Sequence, residues 1–365
     1  MSYTKLPGVY FAEEVASVSV ATTKVPLFII ESSTALASID DQVISFNNLA
    51  AFKATLSNSA FEDIVAFVEE ALNEAGLQNN RFYVYKNTAG TAASFTDIVV
   101  DTSNIDEIQD IIYLEGVKGT GNNTINAKIG ALKTGLVTAY QNGINRVAYV
   151  VPQATVDSDV AGASSGTDEA NAITSLTAIV NGIGSGRVAV LVPDYAGAMV
   201  GRVLAADYNE EIGYAPINTA ISAPTYKFSY AEMVTIQNLG VMFVRGERIR
   251  GSTVYRVNLG VSTAFSGNGA DGLLISRRVA DELLRQVKDE CDNYVKAPND
   301  IDEGLQGLQV DIDNVISRFI DAREVFEDET ELTVTEGTSV YDFQVSGTIK
   351  PIKSTIAINV NTTLA

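Results

Sequence analysis

Two uninterrupted apolar pentads stand in the middle of the chain: Val147-Ala148-Tyr149-Val150-Val151 and Val188-Ala189-Val190-Leu191-Val192. A strand with one exposed face alternates apolar and polar residues, whereas a strand that is apolar at every position is covered on both faces. Such strands are typical of a parallel sheet that lies between two layers of helices. The pentads therefore predict central strands of an α/β fold.

Segments with strand-like and helical patterns alternate around the pentads. The pattern predicts strands at residues 25–31, 81–85, 146–151 and 187–192, and helices at residues 61–75, 125–140 and 168–180. Because strands that are joined through helices pair in parallel, the alternation predicts a mixed α/β core with helices on both faces of a mostly parallel sheet. Residues 86–96 and 153–167 are rich in small and polar residues and are predicted as loops.

Two amphipathic helices are predicted near the C-terminus. Ser276 is placed to cap the first of them, which runs to about Val295 with apolar residues on one face. The second covers residues 310–326. The acidic run that follows, Glu327-Asp328-Glu329, is predicted as a solvated loop.

Both ends of the chain have the pattern of β-strands. The residues that define these arms are Val9, Tyr10, Val15, Val18 and Val20 at the N-terminus, and Ile349, Ile352, Ile356, Ile358 and Val360 at the C-terminus. A lone strand exposes unpaired backbone N–H and C=O groups, so each arm must pair within its own subunit or add to a sheet in another one. The residues alone leave both alternatives open.

The composition argues against enzymatic chemistry. The 365 residues include no histidine, which is the commonest general base and metal ligand. The single cysteine, Cys291, is predicted as a buried apolar residue and cannot form a disulfide within the chain. A formal charge of −20 repels phosphate backbones. The best basic cluster therefore favours a protein contact over nucleic acid; it consists of Arg245, Arg248, Arg250 and Arg256.

Three segments resemble ligand-binding motifs without completing them. Gly119-Thr120-Gly121 and Gly182-Ile183-Gly184 lack the remaining residues of a phosphate-binding loop and are predicted as turns. Asp300-Ile301-Asp302-Glu303-Gly304 lacks the spacing of a calcium loop. No catalytic, cofactor-binding or metal-binding residue is predicted. No apolar run approaches the roughly 18 residues of a membrane helix, and the first residues lack a secretory signal, so the chain is expected to stay in the cytoplasm where it is made.

Seven segments in a fixed order carry a resemblance to a known family. They are Leu6-Pro7-Gly8-Val9-Tyr10, Gly201-Arg202-Val203-Leu204-Ala205-Ala206-Asp207, Ile212-Gly213-Tyr214-Ala215-Pro216-Ile217-Asn218, Leu239-Gly240-Val241-Met242-Phe243-Val244-Arg245, Ile275-Ser276-Arg277-Arg278, Ala297-Pro298-Asn299-Asp300 and Gly347-Thr348-Ile349-Lys350-Pro351. In this order they resemble the sheath proteins of contractile phage tails, R-type bacteriocins and related contractile injection systems. The tryptophans that this family often carries are absent, and Tyr214 and Tyr255 stand near their places.

The resemblance implies a structural subunit that polymerises as stacked hexameric rings around an inner tube. Contraction of this sheath would drive the tube through a target cell envelope. The implied partners are further copies of the chain, an inner tube protein, and baseplate and tail-terminator proteins, with no nucleic acid, cofactor or membrane insertion. Assembly is expected in the bacterial cytoplasm, as part of a virion tail or of a released contractile particle.

The resemblance also implies a division of the chain and roles for particular residues. The expected parts are an arm at 1–25, an α/β core at 26–205 with a middle block at about 96–200, a C-terminal sheath domain at 206–345 and an arm at 346–365. Both arms would add strands to sheets of neighbouring subunits. The C-terminal helix would lie near the tube, with Arg277, Arg278, Arg285 and Lys288 as candidate contacts.

Two alternative functions stay open at this point. The alternating middle block permits a nucleotide-binding α/β enzyme. The acidic composition permits a self-assembling surface-layer protein.

Overall fold

The computed structural model describes residues 25–32, 39–88, 92–102, 105, 107–115, 122–141, 144–152, 168–218, 226–249, 252–265, 272–295, 301–336 and 343–352. At its centre is a sheet with seven strands. In chain order they are β1 (Val25–Glu31), β2 (Val43–Phe46), β3 (Phe82–Asn87), β4 (Ile108–Leu114), β5 (Val147–Val151), β6 (Val188–Leu191) and β7 (Val241–Met242). In space the order is β2-β3-β1-β4-β5-β6-β7, and every neighbouring pair is parallel except β2–β3.

The two predicted pentads form neighbouring strands of this sheet. Every residue of β1, β5 and β6 is buried. Side chains of β1 alternate between the two sides of the sheet: Phe28 and Ile30 join one apolar core, and Leu27 and Ile29 join the other. Because both faces are covered, these strands are apolar at every position except Glu31, and the predicted α/β fold class is confirmed.

Helices cover both faces of the sheet. In chain order they are α1 (Leu49–Thr55), α2 (Glu62–Ala75), α3 (Ala92–Asp101), α4 (Asn122–Gln141), α5 (Asp168–Val180), α6 (Ala196–Ala205) and α7 (Tyr230–Asn238). Buried residues of α1, α2 and α6 belong to the core on one face, and those of α3, α4, α5 and α7 belong to the core on the other. No helix in the described part of the chain is long and apolar enough to cross a membrane.

Two hairpins and two long helices complete the described structure. They are β8 (Val244–Ile249), β9 (Ser252–Val257), α8 (Leu274–Val295), α9 (Ile301–Asp321), β10 (Glu331–Glu336) and β11 (Phe343–Thr348). The α8–α9 pair and the β10–β11 hairpin share a third apolar cluster that includes Leu283, Ile312 and Phe319. Strand β7 belongs to the core sheet although it lies within residues 206–345. The four-part division of the chain stays a prediction.

The predicted start of α8 and both predicted limits of α9 are wrong, whereas the predicted end of α8 at about Val295 is confirmed. Helix α8 begins at Leu274, so Ser276 lies inside it and is buried instead of capping it. Helix α9 covers Ile301–Asp321 where the pattern predicted 310–326. In its first half Gly307 packs closely on α8: a Cβ there would lie 2.7 Å from the Tyr294 hydroxyl oxygen.

One predicted loop is wrong in part, and one acidic loop is confirmed. Within residues 86–96, β3 continues to Asn87 and α3 begins at Ala92. The small residues of this stretch therefore belong partly to regular elements, because tertiary packing outweighs weak local propensity. Residues 153–167 lie outside the described part of the chain. Glu327–Glu329 is an exposed 3-10 turn, as expected for a solvated acidic segment.

Candidate assembly interface

Two of the four α8 residues predicted to contact the tube, Arg277 and Arg278, bond to atoms of their own chain. Arg278 is 7% exposed, and its Nη2 donates to the carbonyl oxygen of Ala206 at 2.5 Å. The Nη2 of Arg277 lies 2.7 Å from an oxygen of Asp281, one turn further along the helix. These contacts occupy both guanidinium groups with atoms of their own chain.

Asp281 joins α8 to the α/β core. Two nitrogens of Arg187, which directly precedes β6, each donate to an oxygen of Asp281 at 2.8 Å. Asn145, which lies before β5, donates to the backbone carbonyl of Asp281 at 3.2 Å. The guanidinium carbons of Arg187 and Arg277 lie 4.4 and 5.2 Å from the centre of the Tyr140 ring. Burial raises the pKa of Asp281 to about 7, and the Arg277 guanidinium opposes this rise.

The other two predicted tube contacts reach solvent. Arg285 is 37% exposed and lies between Glu282 and Asp289, at 2.6 and 3.0 Å from their oxygens. Lys288 is exposed on the same helix. The contact between α8 and an inner tube stays a prediction, and Arg285 and Lys288 are the most exposed of the four side chains.

The predicted C-terminal arm is described as far as Ile352. The Ile352 N–H donates to the Glu324 carbonyl at 2.8 Å, the Phe326 N–H donates to the Lys350 carbonyl at 2.9 Å, and Ile349 packs against the third apolar cluster. This first part of the arm pairs within its own subunit. The other arm residues lie outside the described part of the chain: Val9, Tyr10, Val15, Val18, Val20, Ile356, Ile358 and Val360.

The two edges of the β10–β11 hairpin differ. Gln309 of α9 donates its Nε2 to the Leu332 carbonyl at 2.9 Å and accepts the Val334 N–H at 2.8 Å, so its amide occupies the outer edge of β10. Val345 lies opposite Val334, in a pair whose backbone groups point away from each other. Its N–H and C=O therefore face the outer edge of β11, where no described residue bonds them. An added strand can pair with β11 and is blocked at β10.

The outer faces of α4, α5 and α7 expose apolar side chains and little charge. Val137, Tyr230 and Val234 are 41%, 79% and 39% exposed. A shallow depression of about 450 Å³ lies on α5, lined by Ile173, Thr174, Thr177, Ala178 and Asn181. Four charged side chains of these helices are bound within the chain: Lys128 to Glu31, Lys133 to the Ile183 carbonyl, Glu169 to the Lys227 N–H and Glu232 to the Ser229 N–H. A surface helix usually carries charge on its outer face, so this layer is suited to burial against another protein.

A buried ion pair lies where open α/β sheets usually bind ligands. The strand order reverses at β1, and ligands of such sheets bind outside the carboxyl ends of the strands at that point. Here Glu31, at the end of β1, lies 2.9 Å from the Nζ of Lys128 on α4, and both side chains are at most 5% exposed. Burial raises the pKa of Glu31, and Lys128 opposes the rise.

The segments that resembled ligand motifs give no ligand site in the described structure. Gly182 and Gly184 have φ angles of 73° and 46° in the turn before β6, which confirms the predicted turn. Gly119-Thr120-Gly121 lies outside the described part of the chain. Among the residues that are described, no group of three or more His, Cys, Asp and Glu side chains is placed to hold a metal ion.

The sequence analysis missed the role of Gln309 and the link between Arg187 and Asp281. A polar residue on an amphipathic helix has the same pattern whether it meets solvent or a strand edge, so the sequence gives no signal for Gln309. The partner of Asp281, Arg187, is 94 residues earlier in the chain. Only the fold brings the two side chains together.

Solved structures resemble the chain over almost its whole length, while no protein-family model and no curated protein matches it. A chain of the anti-feeding prophage baseplate has a TM-score of 0.68 at 14% identity, and the match covers 99% of each chain. A chain of the contracted helical sheath of the anti-feeding prophage has a TM-score of 0.63 at 15% identity, again with 99% of each chain covered. The sheath tail protein of Desulfitobacterium hafniense has a TM-score of 0.59 at 12% identity, covering 95% of this chain and 97% of its own.

These comparisons define the fold class. The chain has the fold of contractile tail sheath proteins, which confirms at the level of fold the resemblance that the seven segments carry.

Proposed function

We propose that this chain is the structural subunit of a contractile sheath. It polymerises as stacked hexameric rings around an inner tube and contracts to drive the tube through a target cell envelope. The observation that carries the proposal is the likeness of the fold, over 99% of both chains, to chains from the baseplate and the contracted sheath of the anti-feeding prophage. The proposed partners are further copies, an inner tube protein, and baseplate and tail-terminator proteins. The proposed place of assembly is the bacterial cytoplasm, and the product is a virion tail or a released particle.

The open edge of β11 supports strand exchange between subunits. A two-stranded hairpin is marginally stable by itself, and main-chain pairing with a third strand strengthens it. Residues 353–365 follow directly on the described chain and contain the alternating Ile356, Ile358 and Val360. We infer that this segment pairs with β11 of a neighbouring subunit. Such pairing lets subunits rotate during contraction, because the linker bends while the ladder stays intact.

Burial of new surface between subunits supplies the driving force in this proposal. The apolar, charge-poor layer formed by α4, α5 and α7 supports extensive contact with protein. If the extended sheath is metastable at assembly, contraction needs only the additional burial that the contracted lattice provides. The mechanism requires no catalytic side chain or nucleotide.

Interrupting the C-terminal arm is expected to abolish tube formation. In Ile358→Pro the missing N–H and the ring prevent ladder pairing at the centre of the arm, whereas Ile358→Val keeps both the backbone donor and the β-branched side chain. Negative-stain electron microscopy of purified protein should show long hollow tubes for the unaltered chain and for Ile358→Val. Ile358→Pro and a chain that ends at Ile352 should remain as single subunits or short oligomers. Single subunits from the unaltered chain at high concentration would contradict the proposed function.

Reversing the two solvent-facing charges of α8 is expected to weaken attachment to the tube. Arg285→Glu with Lys288→Glu should reduce co-sedimentation with purified inner tube by roughly tenfold, the size expected for two exposed charge contacts. The matched control is Arg318→Glu with Arg323→Glu, which changes the net charge equally at exposed positions of α9 and beyond its end. Equal co-sedimentation of both variants would remove the tube-facing role of Arg285 and Lys288.

A further inference from the structure

Arginine side chains of the β8–β9 hairpin and the neighbouring Tyr214 form one surface. The guanidinium carbon of Arg245 lies 4.8 Å from the centre of the Tyr214 ring, and the Nη1 of Arg256 donates to the Tyr214 carbonyl at 2.8 Å. Tyr214 is 38% exposed and has a φ angle of 62°, which is uncommon for a residue with a bulky side chain. Non-glycine residues are held in this conformation mainly where the surrounding contacts fix them. We call Tyr214, Arg245 and Arg256 the arginine ribbon.

The arginine ribbon has more positive charge than the described part of its own chain neutralises. Arg245 and Arg256 lie directly opposite each other in the β8–β9 ladder, an unfavourable position for two like charges. Both pair with the single carboxylate of Glu247. Arg248 lies on the opposite face of the hairpin, because side chains alternate along a strand. Two arginines against one glutamate leave a locally cationic surface in a chain whose formal charge is −20.

An exposed acidic segment with an aromatic side chain lies elsewhere on the same chain. Phe326 is 40% exposed, and Glu327, Asp328 and Glu329 are exposed after it. Lys350 lies 3.1 Å from Glu329, so more negative than positive charge remains there. The segment is fixed in place because the Phe326 N–H donates to the Lys350 carbonyl and Val325 forms an antiparallel bridge with Pro351. We call Phe326–Glu329 the acidic turn.

We propose that the arginine ribbon of one copy binds the acidic turn of a second copy. Phe326 packs on Tyr214 and on the stacked guanidinium of Arg245, while Glu327 and Asp328 pair with the arginines. The contact rests on the proposed function in one respect: it supposes that copies of the chain assemble. Because it joins two different surfaces, it is a heterologous contact, which propagates into rings or open helical polymers instead of closing as a symmetric dimer.

The charge of the chain favours a second copy over a nucleic acid as the occupant. The overall negative field repels a polyanion at a distance, and a ribbon of two arginines is short for tracking a phosphate backbone. Identical chains of −20 also repel each other, so they need local contacts of opposite charge to meet in one orientation. The acidic turn supplies both kinds of group that the ribbon can bind. Its carboxylates are opposite in charge to the arginines, and its exposed Phe326 ring can pack against Tyr214.

Charge exchange between the two surfaces tests the contact. The first variant carries Arg245→Glu and Arg256→Glu, and the second carries Glu327→Lys and Asp328→Lys. Each should raise the protein concentration that gives half-maximal assembly, measured by sedimentation, by about tenfold or more. A chain with all four substitutions should recover assembly to within about threefold of the unaltered protein, because the charges again complement each other. The matched control for the second variant is Asp292→Lys with Asp321→Lys, which makes the same charge change at other exposed positions.

The outcomes separate this contact from the proposed function. Normal assembly of the Glu327→Lys, Asp328→Lys variant overturns the contact, and so does a loss with the ribbon variant that the four-substitution chain fails to recover. Circular dichroism spectra and melting temperatures matching those of the unaltered chain exclude misfolding as the cause. Electron microscopy of the same samples tests the function independently: assemblies that are not tubes contradict the sheath proposal even where the charge exchange succeeds. A chain that stays monomeric at every concentration contradicts both.

Discussion

Replacing Arg146 by methionine is expected to lower the free energy of unfolding by about 3 kcal/mol or more. Arg146 directly precedes β5 and is 1% exposed. Its guanidinium donates to the carbonyl oxygens of Val99, Thr102, Ile105 and Ile108 and to the Thr102 hydroxyl, at distances between 2.5 and 3.2 Å. One side chain therefore binds the end of α3, the segment that follows it and the start of β4.

The expected loss follows from the number and burial of these bonds. A hydrogen bond to a charged donor contributes about 1.5–3 kcal/mol, and methionine fills a similar volume without any donor. The carbonyl groups at the end of α3 would also lose a positive charge, which stabilises the C-terminus of a helix. For a domain with a typical stability of about 5–15 kcal/mol, this is a large fraction of the total.

Urea unfolding followed by circular dichroism, below the concentration of assembly, measures the effect. The control is Arg81→Met, because Arg81 pairs with Glu107 at the surface and is 45% exposed. Because solvent screens an exposed ion pair, the control should unfold close to the unaltered chain. If Arg146→Met and Arg81→Met lower the free energy of unfolding equally, the carbonyl contacts of Arg146 do not stabilise this region.

Replacing Lys128 by methionine is expected to cost about 3–5 kcal/mol at pH 8, because it leaves Glu31 buried without its cation. Glu31 and Lys128 are 1% and 5% exposed at their side chains. Burial already raises the pKa of Glu31, and the contacts with Lys128 work against that rise. Without Lys128 the pKa of Glu31 in the folded state should rise further above its value in the unfolded chain.

The sign of the pH dependence follows from this shift. A carboxyl group whose pKa is higher in the folded state binds its proton more tightly there, so stability falls as the pH rises from the unfolded pKa through the folded one. The unfolded reference for glutamate is 4.5. The deficit of Lys128→Met relative to the unaltered chain should therefore be small near pH 5 and largest near pH 8.

A double variant distinguishes loss of the pair from loss of packing. Glu31→Gln combined with Lys128→Met removes both charges and should be more stable at pH 8 than Lys128→Met alone. Lys53→Met serves as the surface control, since Lys53 and Glu69 are 44% and 38% exposed. A deficit for Lys128→Met that does not vary between pH 5 and pH 8 would contradict the role of the buried carboxylate.

The sequence predicted the elements whose burial is uniform and missed those that depend on a distant partner. Residues 147–151 and 188–192 are apolar throughout, so their place in the centre of the sheet follows from composition. Helix α9 was predicted only from residue 310, and the close approach of Gly307 to Tyr294 of α8 is visible only in the fold. In the sequence, Arg146 looks like an ordinary polar residue at the start of a strand. Its buried carbonyl partners come from residues 99–108 and become visible only in the fold.

The same distinction applies to the candidate assembly residues: the sequence shows their pattern, and only the fold shows their partners. The alternation at Ile356, Ile358 and Val360 predicts a strand but cannot say which sheet receives it, since that depends on which edge is open. The four cationic residues of α8 look alike in the sequence. Two of them, Arg277 and Arg278, prove to bind their own subunit because Asp281 and the Ala206 carbonyl lie within reach.

The side-chain amide of Gln309 limits the number of strands that can pair directly with the β10–β11 hairpin to one. With the outer edge of β10 already bonded by Gln309 at Leu332 and Val334, a single incoming strand can pair directly, at the edge of β11. In the proposed assembly any second arm must then attach to the first, so arms from different subunits join only in a fixed sequence. The same blocked edge prevents the hairpin from growing in both directions, which would protect an assembly of many copies from uncontrolled fibre formation.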